Sequence, residues 1–122
     1  MILGRFRDGH PRISLDLAGA DGDPVGVEFI VDTGFEGELK LPEDLVRRLD
    51  ADEAASQVRQ LADGSYVRCP VYRATVYWDE EPRSVLVLAL PGNPLVGTQI
   101  LNGCHLDAEL EEGGEVVIEF PG

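Results

Sequence analysis

Short segments in which apolar and polar residues alternate dominate this chain, and they restrict it to a fold built mainly of β-strands. Residues 12–17 place Ile13, Leu15 and Leu17 on one face, and residues 25–31 repeat the pattern with valines and a phenylalanine. This spacing is typical of a strand with one buried face, because successive side chains point to opposite sides. Turn sequences such as "AGADGDP" separate the segments, so we expect a succession of hairpins.

The second half of the chain continues this pattern. Residues 58–61 and 66–69 flank Asp63 and Gly64, a pair that favours a primed hairpin turn because such a turn needs positive φ. The segment "SVLVLAL" is apolar on both faces, which is typical of a central, buried strand. A last hairpin joins "LDAEL" to "EVVIEF" through "EEGG". About seven strands therefore predict a single all-β domain over residues 1–122, a barrel or a sandwich.

One convincing helix is predicted, from the sequence "PEDLVRRL". Pro42 suits the first helical position, where no amide donor is needed. Acidic residues follow it at the positive end of the helix dipole, and two arginines stand at the negative end. Three leucines at helical spacing would pack this helix on the sheet: Leu41, Leu45 and Leu49. A short helical turn is also expected near residues 98–101, closed by Gly103.

Charge and hydropathy exclude several function classes. The chain has 23 acidic residues against 10 lysines and arginines, and its formal net charge is −13. Nucleic-acid binding needs a basic face, so we expect no nucleic-acid partner. We also expect no membrane partner, because the longest strongly apolar run, residues 85–90, is far shorter than a membrane span. The first residues contain no apolar stretch typical of a secretory signal, so a cytoplasmic location is expected.

The two cysteines predict neither a disulfide framework nor a metal site. Cys69 and Cys104 do not form a Cys-x-x-Cys pair, and buried free thiols are the favoured interpretation. A site built from them with His10 and His105 would match no zinc-binding spacing. We therefore expect no metal site.

The stretch Asp32-Thr33-Gly34-Phe35 places an ionisable side chain directly after an apolar strand. One interpretation is structural, since Asp, Thr and Gly all suit turns. The other is that a carboxylate held rigidly at a strand end performs chemistry. A second motif, Leu95-Val96-Gly97, follows the buried strand and leads into the expected helical turn. Each motif is common by itself, but their order along the chain is much more specific.

That order resembles the retropepsin-like aspartic proteases, in particular small prokaryotic members with an Asp-Thr-Gly-Phe signature. The resemblance runs from "VEFIVDTGFEGELKLP" through "LADGSYV" to "LVGTQILNGCHLDAEL" and "GGEVVIEF". It implies the closed-barrel acid-protease fold, with one short helix after the Asp-Thr-Gly loop and a helical turn near the C-terminus.

The resemblance also implies roles for individual residues. Asp32 would be the catalytic carboxylate, Thr33 would brace the active-site loops across a two-fold axis, and Gly34 would let backbone approach the carboxylates. Asp63 and Gly64 would form the tip of a flap that closes over bound peptide. Three further residues would support the Asp32 loop: Leu95, Val96 and Gly97.

The resemblance also implies that each chain contains half of an active site. Aspartic proteases use two carboxylates that share one proton, and this chain has one Asp-Thr-Gly motif and no room for a second lobe. An active protease would therefore be a homodimer that hydrolyses peptides or proteins. Strands such as "EVVIEF" would have unpaired edges in a monomer, and pairing between subunits would cover them.

Alternatives to the protease remain open at this point. Pepsin-like and retroviral relatives usually have Ser, Thr or Ala where Phe35 stands, so Phe35 is either a wall of the substrate cleft or, as we favour, a core residue. A catalytically silent peptide-binding or dimerisation module on the same fold is the main alternative function. The least favoured alternative is a monomeric barrel in which Asp32 only shapes a turn.

Overall fold

The computed structural model describes residues 1–121, which form ten β-strands and one short helix. In chain order, the elements are β1 Ile2–Arg7, β2 His10–Ala18, β3 Pro24–Val31, β4 Leu39–Leu41, α1 Glu43–Val46, β5 Asp52–Gln60, β6 Tyr66–Trp78, β7 Glu81–Ala89, β8 Leu95–Val96, β9 His105–Ala108 and β10 Glu115–Glu119. The all-β class predicted from the alternating pattern is confirmed.

Six of the strands close into a barrel. The sheet runs in the order β5-β6-β7-β4-β8-β3-β2-β1-β10-β9, and β6 pairs additionally with β2 through Asp16 and Leu17. This extra pairing joins the first and the last of the six consecutive strands β6-β7-β4-β8-β3-β2, as the prediction of a closed barrel required. Strand β5 extends the sheet on one side of the barrel, and β1, β10 and β9 extend it on the other.

The alternating residues fill the barrel. Strand β3 buries Val25, Val27, Phe29 and Val31, which are the residues predicted to share one face. Trp78 lies at the rim of this core and meets the ring of Phe120 edge-on, with 5.6 Å between ring centroids. Burial of these apolar side chains is the main stabilising contribution to the fold.

Strand β6 contributes side chains to two apolar clusters, because its buried face changes along its length. Its second half turns Ala74 and Val76 towards the main core. Its first half turns Cys69 and Val71 towards a smaller cluster that includes Leu88 of β7. This second cluster lies where the β5–β6 hairpin leaves the barrel, and it anchors the base of that hairpin.

The predicted helix is shorter than the sequence indicated. Helix α1 has four residues, Pro42 is its N-cap rather than its first helical residue, and Leu41 ends β4 instead of joining the helix. Tertiary backbone hydrogen bonds draw the chain away from the helix, since Arg48 O accepts from Ala20 N–H and Asp50 N–H donates to Ala18 O. Among residues 1–121, no helix is long and apolar enough to cross a membrane.

Strand count and sheet edges also differ from the predictions. Strands β1, β4 and β8 were not predicted, because each is short or lacks clear alternation. The expectation that "EVVIEF" has an unpaired edge is wrong, since β10 lies between β1 and β9. The two edges of the described sheet are β5 and β9.

The β5–β6 hairpin forms as predicted, but its turn is not of the primed kind. Gly64 N–H donates to Leu61 O at 2.9 Å, so Ala62 and Asp63 are the central residues of the turn. Neither has a positive φ, whereas Gly64 has φ 87°. The left-handed residue therefore follows the turn, an arrangement found in hairpin loops longer than two residues.

Candidate active site

The backbone at Asp32 is fixed where β3 leaves the barrel. Strand β3 pairs in parallel with β8, and the last partners are Val31 and Val96. One residue further, Asp32 N–H still donates to Val96 O at 2.9 Å. The sequence places valines at both positions, and both are buried in the main core, so the start of the Asp32 loop is anchored to rigid structure.

The carboxylate of Asp32 is oriented by its own loop. Its Oδ1 atom accepts a hydrogen bond from Gly34 N–H at 2.9 Å, and Phe35 N–H donates to Asp32 O at 3.1 Å. This is the turn-forming use of Asp that the structural interpretation anticipated. Asp32 is nevertheless half-buried rather than exposed, and within residues 1–121 Gly34 is the one hydrogen-bond donor to its side chain. One carboxylate oxygen is thus held while the other remains available.

Gly97 has no side chain, and this lets the Asp32 loop pack closely against the chain that follows β8. A Cβ atom at position 97 would lie 2.2 Å from Gly37 O and 2.6 Å from Phe35 O, distances that no side chain tolerates. The close approach lets Phe35 O accept from Thr98 N–H at 2.8 Å. After this contact, residues 98–103 form consecutive turns that end at Gly103, whose φ is 84°.

Asp32 lies in an open cleft of about 620 Å³. Two of the predicted site residues, Thr33 and Leu95, line the same cleft. Val96 is fully buried beneath them. Strands β3, β8 and β9 supply most of the apolar lining of the cleft. Its lining residues are His10, Pro11, Ile30, Val31, Asp32, Thr33, Lys40, Asn93, Leu95, Leu106, Ala108 and Leu110.

Lys40 is the charged neighbour of Asp32 that sequence reasoning missed. Burial lowers the pKa of Lys40, while the negative charge of Asp32 raises it by a smaller amount. Its ammonium group donates to Pro91 O at 3.3 Å. A signal existed in the sequence, because Leu39 and Leu41 flank Lys40 and both are fully buried. In a strand, such neighbours send the middle side chain to the opposite face.

The ring of Phe35 lies outside the lining of the Asp32 cleft. It packs against the second apolar cluster, and the guanidinium carbon of Arg59 is 5.9 Å from the ring centroid. The edge of the ring also lies where a Cβ at Gly37 would stand, at 2.5 Å. This placement agrees with the favoured interpretation of Phe35 as a packing residue.

Asp63 and Gly64 lie at the exposed tip of the β5–β6 hairpin and do not line the Asp32 cleft. Asp63 Oδ1 accepts hydrogen bonds from Ser65 Oγ at 2.6 Å and from Ser65 N–H at 2.9 Å. The hydroxyl bond, and then the amide bond, hold the pKa of Asp63 below its ordinary value. The structure therefore brings Asp32, Thr33 and Leu95 together, and leaves the hairpin tip apart from them.

The comparisons with known proteins support the fold. No protein-family model and no curated protein sequence matches this chain. Among solved structures, a retropepsin-like aspartic protease from Rickettsia conorii is similar, with a TM-score of 0.54 and 16% sequence identity. The similarity covers 100% of this chain and 92% of the other. At this identity the likeness establishes the fold, which is the one that the motif order implied.

Proposed function

We propose that this chain is one subunit of a homodimeric aspartic endopeptidase, and that Asp32 of each subunit supplies one of the two catalytic carboxylates. The observation that carries the proposal is the placement of Asp32, whose carboxylate is held at a strand end by Gly34 and faces an open cleft. The similar fold of a known retropepsin-like aspartic protease supports the same reaction class.

The reaction follows from two carboxylates that share one proton, because like charges so close together cannot both ionise. The ionised Asp32 takes a proton from water as the water oxygen attacks the peptide carbonyl carbon. The protonated Asp32 gives its proton to the carbonyl oxygen, which produces a tetrahedral diol. In the second step one diol hydroxyl returns a proton to the pair, the amide nitrogen receives a proton from it, and the C–N bond breaks. The products are a carboxylic acid and an amine, and the pair again holds one proton.

Dimerisation is required because each chain contributes one such carboxylate. Strand β9 is an edge of the described sheet, and Leu106 and Ala108 of this strand line the Asp32 cleft. Leu110, just beyond β9, is 73% exposed. An unpaired strand beside exposed apolar side chains suits contact with a second copy, which would bring a second Asp32 to the same cleft.

The remaining predicted site residues take supporting roles in this proposal. Thr33 is exposed next to Asp32 and is free to brace the partner loop. Leu95, Val96 and Gly97 hold the Asp32 loop in place. The β5–β6 hairpin is the flap, and it carries Val58 and Tyr66 as exposed apolar side chains, 55% and 70% accessible. Such side chains would gain burial by closing on a peptide. Asp63 and Gly64 would contact substrate only after the hairpin moves.

The proposal also covers the setting of the enzyme. We assign residues 1–122 to one retropepsin-like domain, acting without cofactor on peptides or proteins in the cytoplasm. Phe35 contributes in this scheme by supporting the Asp32 loop from the side opposite to the cleft, and any contact with substrate would be indirect.

The test is the Asp32→Asn variant, compared with the parent protein on a diverse peptide library. Asparagine has nearly the same size but cannot act as a base, so we expect a folded dimer without measurable hydrolysis. Asp44→Asn is the matched control, since Asp44 is an exposed residue of α1, and it should cleave like the parent. Undiminished cleavage by Asp32→Asn would refute the proposal.

The alternative, a silent peptide-binding module, gives a different result in the same experiment. The parent would then bind peptides without cleaving them, and an active-site inhibitor of aspartic proteases would have no hydrolysis to block. Cleavage by the parent that the inhibitor abolishes would exclude this alternative.

A further inference from the structure

Lys40 is the only lysine among the 122 residues, and it lines the cleft that contains Asp32. It pairs with Leu95 across β4 and β8, and Leu95 lines the same cleft. The two neighbours of Lys40 in the strand are fully buried in the main core. Because side chains alternate across a strand, the amine of Lys40 is directed away from that core and to the cleft side.

The ammonium group of Lys40 has unused capacity to bind an anion. It has three donors, and one of them is used by Pro91 O. Within residues 1–121 Lys40 forms no salt bridge, although the chain has 23 acidic residues. Four arginines do form salt bridges with glutamates: Arg7, Arg12, Arg47 and Arg83. The ammonium group in the cleft therefore has no carboxylate in direct contact, although the charge of Asp32 acts on it.

At the position of Lys40, an ammonium group without an ionic partner is unfavourable in free energy. The side chain is half-buried, and burial lowers its pKa because the charged form loses water. A carboxylate that entered the cleft would restore the lost interactions through charge-assisted hydrogen bonds. The charge of Asp32 raises the pKa of Lys40 by less than burial lowers it, and the two side chains form no salt bridge, so Asp32 compensates the ammonium group only in part.

We propose that Lys40 makes this cleft selective for peptides that carry an aspartate or glutamate side chain close to the scissile bond. The inference rests on the proposed function and names its substrate class. A glutamine at the same place could accept a hydrogen bond but could not neutralise the ammonium, and a lysine or arginine would be repelled. The preference is local, because the net charge of −13 repels acidic peptides at longer range.

The experiment uses two sets of eight-residue peptides that differ in one side chain. In one set a single glutamate is moved through the central positions of an alanine–leucine background, and in the other set glutamine takes its place. Cleavage of both sets is measured with the parent protein, and binding is measured with Asp32→Asn, which does not depend on turnover. We expect kcat/KM and affinity to favour glutamate at one position by about tenfold, as one charge-assisted hydrogen bond implies.

Substitution of Lys40 identifies the residue responsible. Lys40→Met keeps most of the length of the side chain and removes its charge, so it should reduce the glutamate-to-glutamine ratio to about one. Lys40→Arg should retain a ratio above one because the charge remains. Arg48→Met is the control for loss of one positive charge, since Arg48 is exposed and lies outside the cleft lining, and it should leave the ratio at the parent value.

The outcomes separate this inference from the proposed function. Equal cleavage of the two peptide sets by the parent would overturn the selectivity of Lys40 and leave the protease proposal standing. A binding preference for glutamate without any cleavage by the parent would support Lys40 and refute the protease. If Lys40→Met slowed both peptide sets by the same factor, Lys40 would act on the Asp32 pair rather than on the substrate, and the selectivity proposal would fail.

Discussion

Replacing Gly97 by alanine should displace the Asp32 loop, because the structure leaves no space for the added methyl group. The new Cβ would stand 2.2 Å from Gly37 O and 2.6 Å from both Phe35 O and Phe35 Cδ2. Two of these atoms belong to the backbone, so rotation of a side chain cannot relieve the overlap. The loop must move by about 1.3 Å to restore ordinary contact distances near 3.5 Å.

The energetic cost can be estimated from the contacts that this movement strains. Three backbone hydrogen bonds join the two segments: Gly97 N–H to Glu38 O at 2.9 Å, Thr98 N–H to Phe35 O at 2.8 Å and Gln99 N–H to Gly37 O at 3.1 Å. Each contributes about 1 kcal/mol, and overpacking itself costs about 1–3 kcal/mol. Since the bonds would weaken rather than all break, we expect a loss of about 3 kcal/mol in the free energy of unfolding. For a chain of this size that corresponds to a Tm lower by about 10 °C.

The assay is thermal and urea unfolding followed by circular dichroism, with peptide cleavage measured below the transition. A displacement of about 1 Å at a catalytic group can reduce activity about 100-fold, so Gly97→Ala should lose activity even where it is folded. Gly26→Ala is the matched control, because its Cβ would meet only Asp16 Oδ1, at 3.3 Å; it should be neutral or slightly stabilising. A Gly97→Ala variant with parental Tm and parental activity would refute this account of the loop.

Three further predictions concern titrating groups. Asp32→Asn should lower the pKa of Lys40 further, since the variant removes the negative charge that raises this pKa. The protein has one lysine, so NMR of lysine-labelled protein follows its titration through a single resonance. An unchanged pKa of Lys40 would contradict the proximity of Asp32 and Lys40. Ser65→Ala should raise the pKa of Asp63 towards its ordinary value, because it removes the hydroxyl donor and keeps the amide donor. The stabilisation of the hairpin tip is present above the ordinary pKa and is lost as pH falls through the lowered one, and an unchanged titration curve would disprove the hydroxyl hydrogen bond. Burial raises the pKa of the Cys104 thiol. Cys104 should therefore react with a disulfide reagent more slowly in the native protein than in urea. Equal reaction rates would contradict the burial of Cys104.

The parts of the fold that the sequence predicted are those in which local pattern and tertiary structure agree. Strand β3 alternates from Pro24 to Phe29, and each of its predicted inward residues is buried. The family resemblance implied that Gly97 supports the Asp32 loop, and the structure places the two in contact. Gly has no substitute where backbone must approach this closely, so the sequence signal there was strong.

The parts that were missed depend on contacts between distant residues. Leu41 has the spacing of a helical residue, but it pairs with Ala89 in the sheet, and Leu49 forms a bridge with Gly19. In strand β1, Gly4 interrupts the alternation, and it is required there because a Cβ would collide with Arg12 O. The edge strand was misplaced because strand order is a property of the whole sheet. Lys40 was missed because its flanking leucines indicate only which way the side chain points, and the cleft it faces exists only after the barrel closes.

A crystal structure of the assembled protein would give the separation between the two Asp32 carboxylates, on which the shared-proton mechanism depends. We expect a two-fold dimer in which one carboxylate oxygen of each subunit lies about 3 Å from its counterpart, close enough to share a proton. A monomer, or a dimer whose Asp32 carboxylates lie in separate clefts, would contradict it.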